Sequence, residues 1–254
     1  MMVASWNVNS IKVRLEQVLE WLDSAQPDVL GLQEIKMLTE NFPVAAFGEV
    51  GYHCAIDGQK TYNGVALVSR LKPDDVTRGI PNFADEQKRS IAATYGDKRI
   101  INLYVPNGQA VGSEKYEYKL NWLAALTNWL EKELQQHKNL VVMGDFNIAP
   151  DDRDVHDPDE WHGKILCSDA ERAALQKLLS LGLSDSFRLF EQPAETFSWW
   201  DYRAAGFRRN RGMRIDLLLV SDSLSKSTLA SRIDKDPRAH ERPSDHAPVW
   251  AEFT

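Results

Sequence analysis

The chain has 254 residues, of which 43% are hydrophobic, so it can bury a sizeable core in one large domain or two fused halves. Its formal net charge is −7, whereas a general nucleic-acid binder is usually basic. If nucleic acid is the partner, the attraction must therefore come from a local basic patch and bound cations. No apolar run reaches the roughly 18 residues of a membrane span, so we expect no membrane-embedded segment.

The N-terminus and the cysteines point to one compartment. The first residues, MMVASWNVNS, predict a strand rather than a signal peptide, because no basic segment precedes an apolar one. Cys54 and Cys167 lie far apart and without Cys-x-x-Cys spacing, so a zinc site is not expected. Reduced thiols are the simplest interpretation. We therefore expect a cytoplasmic protein, associated with the nucleoid if the source is bacterial.

Short apolar runs rich in β-branched residues predict buried strands along the chain. In chain order these runs are Val3–Trp6, Val29–Leu32, Val65–Val68, Ile100–Val105, Leu140–Met143, Ile215–Val220 and Val249–Phe253. Amphipathic stretches predict helices at Leu15–Leu22, at Tyr116–Leu134 and after the capping-box pair Ser168 and Glu171, with Pro27 and Gly182 as stop signals. Because several strands follow one another directly, the pattern favours an α/β fold of mixed sheets packed face to face with helices outside, not a parallel barrel.

Polar side chains recur where these apolar runs begin or end. They are Asn7, Asn9, Gln33, Glu34, Tyr104, Asn107, Asp145, Asn147, Asp216, Ser244, Asp245 and His246. A single Asp or Asn after a strand is usually a turn residue that bonds its own backbone, and a single His there is more often structural. The combination of amides, carboxylates, a tyrosine and a histidine at strand edges instead indicates a functional site on one rim.

The chemistry that suits this set is metal-assisted phosphodiester hydrolysis. Hard oxygen ligands such as Glu34, Asp245 and the Asn amides favour Mg²⁺ or Mn²⁺, which would offset charge developing on the phosphate and the leaving oxygen. His246 would either bond a non-bridging oxygen or accept the proton of the water, with Asp216 orienting its ring. Neutral donors that can bond phosphate oxygens are Tyr104, Asn107 and Asn147.

The motifs around these residues form a series that covers nearly the whole chain: SWNVNS, LQEIK, YNGVALVSR, NLYVPNG, MGDFNIAP, FSWWDYR, GMRIDLLLVS and ERPSDHAPVWAEF. With them the sequence resembles the exonuclease III branch of the endonuclease/exonuclease/phosphatase superfamily. GDFN and SDHAPV are typical of the whole superfamily, which also holds lipid and inositol phosphatases. Trp-x-Asp-Tyr-Arg followed by Arg-Ile-Asp and Pro-Ser-Asp-His is typical of the DNA-repair branch.

The resemblance implies a four-layer α/β sandwich, with two packed mixed β-sheets flanked by helices in a single domain over residues 1–254. It implies a DNA repair phosphodiesterase that cleaves the backbone 5′ to abasic sites, with 3′-phosphatase or 3′-phosphodiesterase and 3′→5′ exonuclease activity. The implied cofactor is Mg²⁺ or Mn²⁺. The implied partner is double-stranded DNA with an abasic site or a blocked 3′ end, and we expect the protein to act on it as a monomer.

The resemblance also assigns roles to individual residues, with Glu34 as the principal metal ligand. The implied catalytic residues are Tyr104, Asn107, Asp145, Asn147, Asp216 and His246. The implied metal-site residues are Asn7, Glu34, Asp145, Asn147, Asp245 and His246. Trp199, Met213 and Ile215 would wall the pocket for an extrahelical abasic sugar.

An arginine-rich segment lies directly between two of these motifs. From Tyr202 to Ile215 the chain reads YRAAGFRRNRGMRI, with five arginines, several aromatic neighbours and no acid. A solvated basic loop is one interpretation, but the position favours contact with DNA phosphates through arginines such as Arg208 and Arg209. Lys12 and Lys36, which follow site motifs closely, are weaker candidates for the same role.

The acidic segment 151–160, DDRDVHDPDE, predicts a solvated loop rather than a second metal site.

Two other functions remain open at this point. A phosphatase or phosphodiesterase for inositol lipids or sphingomyelin would use the same metal core, although the arginine-rich segment argues against it. A catalytically dead DNA-binding module would be expected to carry substitutions in that core. No such substitution is present at Glu34, Asp145, Asp216 or His246.

Overall fold

The computed structural model describes residues 1–254, and two six-stranded mixed β-sheets form its centre. The strands are β1 (Met2–Asn7), β2 (Val29–Gln33), β3 (His53–Asp57), β4 (Val65–Ser69), β5 (Asp74–Arg78), β6 (Ser90–Tyr95), β7 (Lys98–Tyr104), β8 (Asn139–Asp145), β9 (Leu183–Asp185), β10 (Trp199–Trp200), β11 (Gly212–Met213), β12 (Asp216–Ser221), β13 (Thr228–Ile233) and β14 (Val249–Phe253). The helices are α1 (Ile11–Ala25), α2 (Val44–Glu49), α3 (Glu114–Gln136), α4 (Pro158–Trp161), α5 (Asp169–Leu179) and α6 (Asp222–Ser225). None of these helices is both long and apolar enough to cross a membrane.

The two sheets repeat one arrangement. The first has the order β13-β14-β1-β2-β4-β3 and the second the order β5-β6-β7-β8-β12-β9, while β10 and β11 form a separate ribbon. Each sheet has one parallel pair at its centre, β1 with β2 and β7 with β8, and its other neighbours are antiparallel. Because the carboxyl ends of parallel strands meet at one sheet edge, each pair delivers the residues that follow it to the same rim.

Three apolar layers hold the sheets and helices together. Residues of both sheets, such as Val3 and Met143, pack face to face in the middle layer. Helix α1 covers the outer face of the first sheet, and α3 with α5 covers the outer face of the second. The result is the four-layer α/β sandwich that the resemblance implied, with helix layers outside two packed mixed sheets.

A polar connection crosses the apolar layer beneath the site-bearing rim. Gln33 donates through Nε2 to Oδ1 of Asn102 at 2.6 Å, and Asn102 donates through Nδ2 to the main-chain oxygens of Leu32 and Ala66, both at 2.9 Å. Apolar contacts are not directional, whereas these hydrogen bonds are. They therefore fix how the two sheets, each of which carries half of the rim, lie against each other.

The predicted strands are all found, but the sequence missed several others. Strands β9 to β11 were missed because they have only two or three residues. Strands β5 and β13 lie at sheet edges and have exposed side chains. Strands β3 and β6 carry too few large apolar residues. The helix predictions are confirmed for α1, α3 and α5, including both hydrogen bonds of the capping box between Ser168 and Glu171. The missed helices α2, α4 and α6 have four to six residues, too few to show a periodic apolar stripe.

Candidate active site

Asn7 lies at the centre of the rim and joins the two sheets there. Its amide nitrogen donates to Oε1 of Glu34 at 3.0 Å and to Oδ2 of Asp145 at 2.9 Å. Glu34 follows β2 of the first sheet, whereas Asp145 ends β8 of the second. Asn7 is fully buried, so its two bonds hold both carboxylates in a fixed relation.

The backbone around these side chains adopts an uncommon conformation. The φ angles are 44° at Asn9, 49° at Glu34, 52° at Lys36 and 49° at Asn147. Residues other than glycine pay a steric cost in this left-handed region, and such residues concentrate at functional sites. Here the conformation turns the chain sharply just past the strand ends and directs the polar side chains to one place.

Asp145 is held on several sides. Its Oδ1 accepts the main-chain N–H of Asn147 at 2.9 Å, and Asn147 donates its own amide to the main-chain oxygen of Val105 at 3.0 Å. Burial raises the pKa of Asp145, and the nearby Asp216 raises it further although His246 opposes both. The preceding Gly144 has φ 145°, and a Cβ there would lie 1.9 Å from the oxygen of Leu103, so only glycine fits.

His246 and Asp216 form a buried pair. Nδ1 of His246 lies 2.9 Å from Oδ2 and 3.1 Å from Oδ1 of Asp216, and Ser198 donates its hydroxyl to the same carboxylate at 2.7 Å. Burial lowers the pKa of His246, but Asp216 and Asp145 outweigh it and raise this pKa to about 10. The ring is therefore a cation at neutral pH, with Nδ1 committed to Asp216 and Nε2 facing Asp145 at 3.7 Å.

Asp245 completes the acidic set. Its Oδ1 accepts from Nδ2 of Asn9 at 3.0 Å and its Oδ2 from the indole nitrogen of Trp199 at 3.0 Å. Burial would raise the pKa of Asp245, but the positive His246 and these two donors together lower it. Asp245 is therefore ionised, and Asn9 connects it through Lys36 to Glu34.

The donor set fits a hard divalent cation. Ligand atoms of Asp145, Asp216 and His246 lie within 4.8 Å of one another. Nδ1 of His246 and the Asp216 carboxylate already bond each other at 2.9 Å, however. The carboxylate oxygens of Glu34, Asp145 and Asp245 are the better candidates, because Mg²⁺ and Mn²⁺ prefer such oxygens. The amide nitrogens of Asn7 and Asn147 point at carboxylates, so their role as metal ligands stays a prediction.

Tyr104 and Asn107 lie beside the acidic groups. Burial raises the pKa of Tyr104 well above its usual value, and Glu34 and Asp145 add to the shift. Its hydroxyl therefore keeps its proton and can act as a donor. Asn107 donates through Nδ2 to Oδ1 of Asn147 at 3.1 Å. Because its side chain is exposed, it stays accessible to an incoming group.

The three predicted pocket residues lie together, but at different depths. Trp199 is half-buried, with its ring centre 6.5 Å from that of His246. Met213 and Ile215 are buried and pack in the small apolar cluster that the Trp199 ring covers. Trp199 is therefore the partly accessible member of the three, and Met213 and Ile215 lie beneath its ring.

The arginine-rich segment divides into exposed and structural members. Arg208 and Arg209 are exposed and form no side-chain hydrogen bond or ion pair, so they remain available to phosphates, as does the exposed Lys12. Arg203 pairs with Asp201, Arg211 with Glu160 and Arg214 with Asp185. Arg214 is 1% exposed, so it is a structural member of the segment, whereas the exposed Arg208 and Arg209 are the members predicted to contact DNA.

The acidic segment also differs from the sequence prediction. Asp154 is fully buried and binds Arg188 and Arg214, which are themselves brought together from distant parts of the chain. The prediction of a solvated loop is wrong at this position, because a buried arginine needs a carboxylate partner. The segment contributes to no cluster of carboxylate and histidine side chains close enough for a metal.

The sequence reasoning missed the role of Ser198 and left Asn9 without one. Ser198 accepts the main-chain N–H groups of Ile215 and Asp216, both at 3.1 Å, while it donates to the Asp216 carboxylate. Its place beside Trp199 in the FSWWDYR motif was the only signal for it. Asn9 bridges Asp245 and Lys36, a role that depends on contacts across the rim.

Comparison with known proteins identifies the family of the chain. The chain matches the model of the endonuclease/exonuclease/phosphatase family over residues 4–246, and it belongs to that family. It is 42% identical to exodeoxyribonuclease III of Haemophilus influenzae, with 98% of each chain covered. The structure superposes with a TM-score of 0.98 on the 3′ phosphatase NExo from Neisseria bound to a product DNA hairpin, at 50% identity over 100% of this chain and 99% of that one. An AP endonuclease from Archaeoglobus fulgidus matches with a TM-score of 0.96 and 38% identity, with 100% and 99% covered.

Proposed function

We propose that this chain is a DNA repair nuclease that hydrolyses the backbone 5′ to abasic sites and also removes phosphates and nucleotides from 3′ ends. One observation carries the proposal. Asn7 holds Glu34 of one sheet and Asp145 of the other at a single rim, beside the charged pair of His246 and Asp216. The relatives act on DNA ends and abasic sites according to their names, which supports DNA rather than an inositol lipid as the substrate.

The cofactor we propose is Mg²⁺ or Mn²⁺, held by Glu34 with Asp145 or Asp245. When bound, such a cation offsets negative charge that develops on the phosphate and the leaving oxygen. Glu34 suits this role because its side chain is 19% exposed and its second oxygen meets Lys36, a contact that a cation can replace. Carboxylates that ligate a cation also orient the phosphate it binds.

The proton-transfer roles follow from the charges. Asp145 is the group that would accept the proton of the attacking water, because burial raises its affinity for a proton and it is held in place by Asn7 and Asn147. His246 is already protonated, so Nε2 would donate to a non-bridging phosphate oxygen rather than act as a base. Asn147 would add a neutral donor by exchanging its 3.3 Å hydrogen bond to Oδ2 of Asp145 for one to a phosphate oxygen.

The surroundings of the rim suit a damaged duplex. An abasic nucleotide has no base to unstack, so its extrusion costs little, and the half-buried Trp199 offers an apolar wall for the sugar. Arg208 and Arg209 would contact phosphates without reading bases, which suits action at any sequence. The site residues come from both sheets of one sandwich, and we propose that residues 1–254 act as a single domain and as a monomer.

One activity panel tests the proposal. The chain is incubated with duplexes that carry an internal abasic site, a 3′-phosphate or an unmodified recessed 3′ end, and with soluble inositol phosphates. We expect Mg²⁺-dependent turnover on the DNA substrates, no turnover on the inositol phosphates, and loss of all activity in Asp145→Asn. Turnover on inositol phosphates alone would favour the phosphatase alternative, and binding without cleavage would favour the dead DNA-binding module.

A further inference from the structure

A fully buried ion pair lies behind the rim, between the helices that cover the second sheet. Lys119 of α3 and Glu171 of α5 contact each other directly, and neither side chain has any solvent exposure. Lys119 stands on the face of α3 that also buries Trp122 and Leu123. Replacement of a buried ion pair by apolar side chains is often neutral or stabilising, so stability does not by itself explain a charged pair here.

The contacts of Lys119 lead directly to the site. Its ammonium group donates to the main-chain oxygen of Asn147 at 2.7 Å and to that of Asn107 at 3.1 Å, and its third donor meets Glu171. All three donors of the ammonium group are therefore used. Asn147 and Asn107 follow different strands, and their own amides are bonded to each other. One buried charge thus holds both loops at their main chain.

Glu171 extends the connection to a third loop. Its Oε1 accepts the main-chain N–H of Leu166 at 3.1 Å, and its Oε2 accepts the N–H and the hydroxyl of Ser168 at 3.1 and 2.6 Å. Leu166 has φ 71° and accepts the N–H of Ala149 through its own oxygen at 2.8 Å. The chain just after Asn147 is therefore held by Glu171 as well as by Lys119.

We propose that Lys119 is a positioning residue, which with Glu171 as its counter-ion fixes the main chain of Asn107 and Asn147 so that their amides meet the phosphate. The role of those amides rests on the proposed function, but the contact with the main chain does not. An ion pair suits this task because charged hydrogen bonds are shorter and stronger than neutral ones. Small displacements of donors at a reacting group are costly in rate.

The test replaces both partners together, Lys119→Met with Glu171→Gln, so that no unpaired charge stays buried. The control is Leu126→Ala, which removes apolar contacts of the same helix with the second sheet. For each protein we would measure the melting temperature, kcat and KM on the 3′-phosphate duplex, and hydrogen exchange of peptides that cover 105–109 and 145–149. In the double variant we expect roughly a tenfold or larger fall in kcat, KM within about threefold, and faster exchange in both loops.

The outcomes are separable. The Leu126→Ala control should melt earlier yet keep its kcat well below its melting temperature, which distinguishes positioning from general destabilisation. Unchanged exchange in both loops of the double variant would overturn the proposal whatever its activity, and so would faster exchange with wild-type kcat. If the double variant fails to fold, Lys119→Gln with Glu171→Gln provides the same two readouts, with a neutral donor in place of the ammonium group and again no unpaired buried charge. A wild-type chain without any DNA cleavage would refute the proposed function, while the exchange data would still decide whether Lys119 holds the loops.

Discussion

Trp199 contributes to the rim in two ways that substitution can separate. Its indole nitrogen donates to Oδ2 of Asp245 at 3.0 Å, and its ring covers the apolar cluster that contains Met213 and Ile215. Trp199→Phe removes the N–H group but keeps most of the apolar ring. Trp199→Ala removes both. The two variants should therefore differ in which property of the enzyme they change.

The magnitudes follow from the contacts. A hydrogen bond to a charged acceptor contributes about 1.5–3 kcal/mol. Asp245 keeps its bond from Asn9 at 3.0 Å, so we expect the lower end for Trp199→Phe, which is about tenfold in the Mg²⁺ concentration at half-maximal rate. Trp199→Ala removes the aromatic ring, which costs about 1–3 kcal/mol by analogy with base–aromatic stacking. That corresponds to about one to two decades in the cleavage rate at an internal abasic site.

The assay is a Mg²⁺ titration on an abasic duplex and on a 3′-phosphate duplex, with a melting curve for each variant. Trp199→Phe should raise the Mg²⁺ requirement on both substrates, whereas Trp199→Ala should lose further activity mainly on the abasic duplex, which needs more of the pocket. Trp200→Phe is the matched control, because Trp200 is fully buried and its indole donates to Asn210 instead. It should lower stability and leave the Mg²⁺ requirement unchanged.

The melting curves decide between a pocket residue and a core residue. Because Trp199 is half-buried, its loss should cost less stability than the roughly 3–5 kcal/mol expected for an emptied core site. Equal loss of activity on both substrates, together with a large drop in melting temperature, would show that Trp199 is a core residue. The assignment of an apolar wall would then be wrong.

Three further predictions concern the metal, the charged pair and the DNA contact. EDTA should abolish cleavage, and Mg²⁺ or Mn²⁺ should restore it. Glu34→Gln should lower turnover and raise the metal concentration that the enzyme requires. Full activity in EDTA would contradict a metal mechanism. Asp216 and His246 act as a unit at 2.9 Å, so the double alanine variant should be little slower than His246→Ala alone, and multiplicative losses would mean separate roles. Replacement of Arg208 and Arg209 by alanine should flatten the salt dependence of duplex binding, and an unchanged slope would remove them from the interface.

The central strands could be predicted from the sequence because strands buried on both faces are nearly continuous apolar runs. Strands β2, β4 and β12 are buried at every position and were found, whereas the edge strand β13 alternates buried and exposed residues too weakly to be recognised. The order of strands in each sheet has no local signal. It depends on contacts between segments that are far apart in the chain.

The sequence by itself determined which chemical groups stand at strand ends, and the resemblance of its motifs placed them in one family. Only the tertiary structure decided which groups meet. Asn7 and Asp145 are 138 positions apart, yet they share a hydrogen bond of 2.9 Å because the two sheets pack with one rim in common. Arg208 and Arg214 belong to one basic segment, but the first is exposed and the second pairs with Asp154 inside the protein. The local sequence pattern shows whether a side chain is polar. The hydrogen-bond partner and the burial of that side chain set its pKa and its role, and both depend on chain segments that lie elsewhere in the sequence.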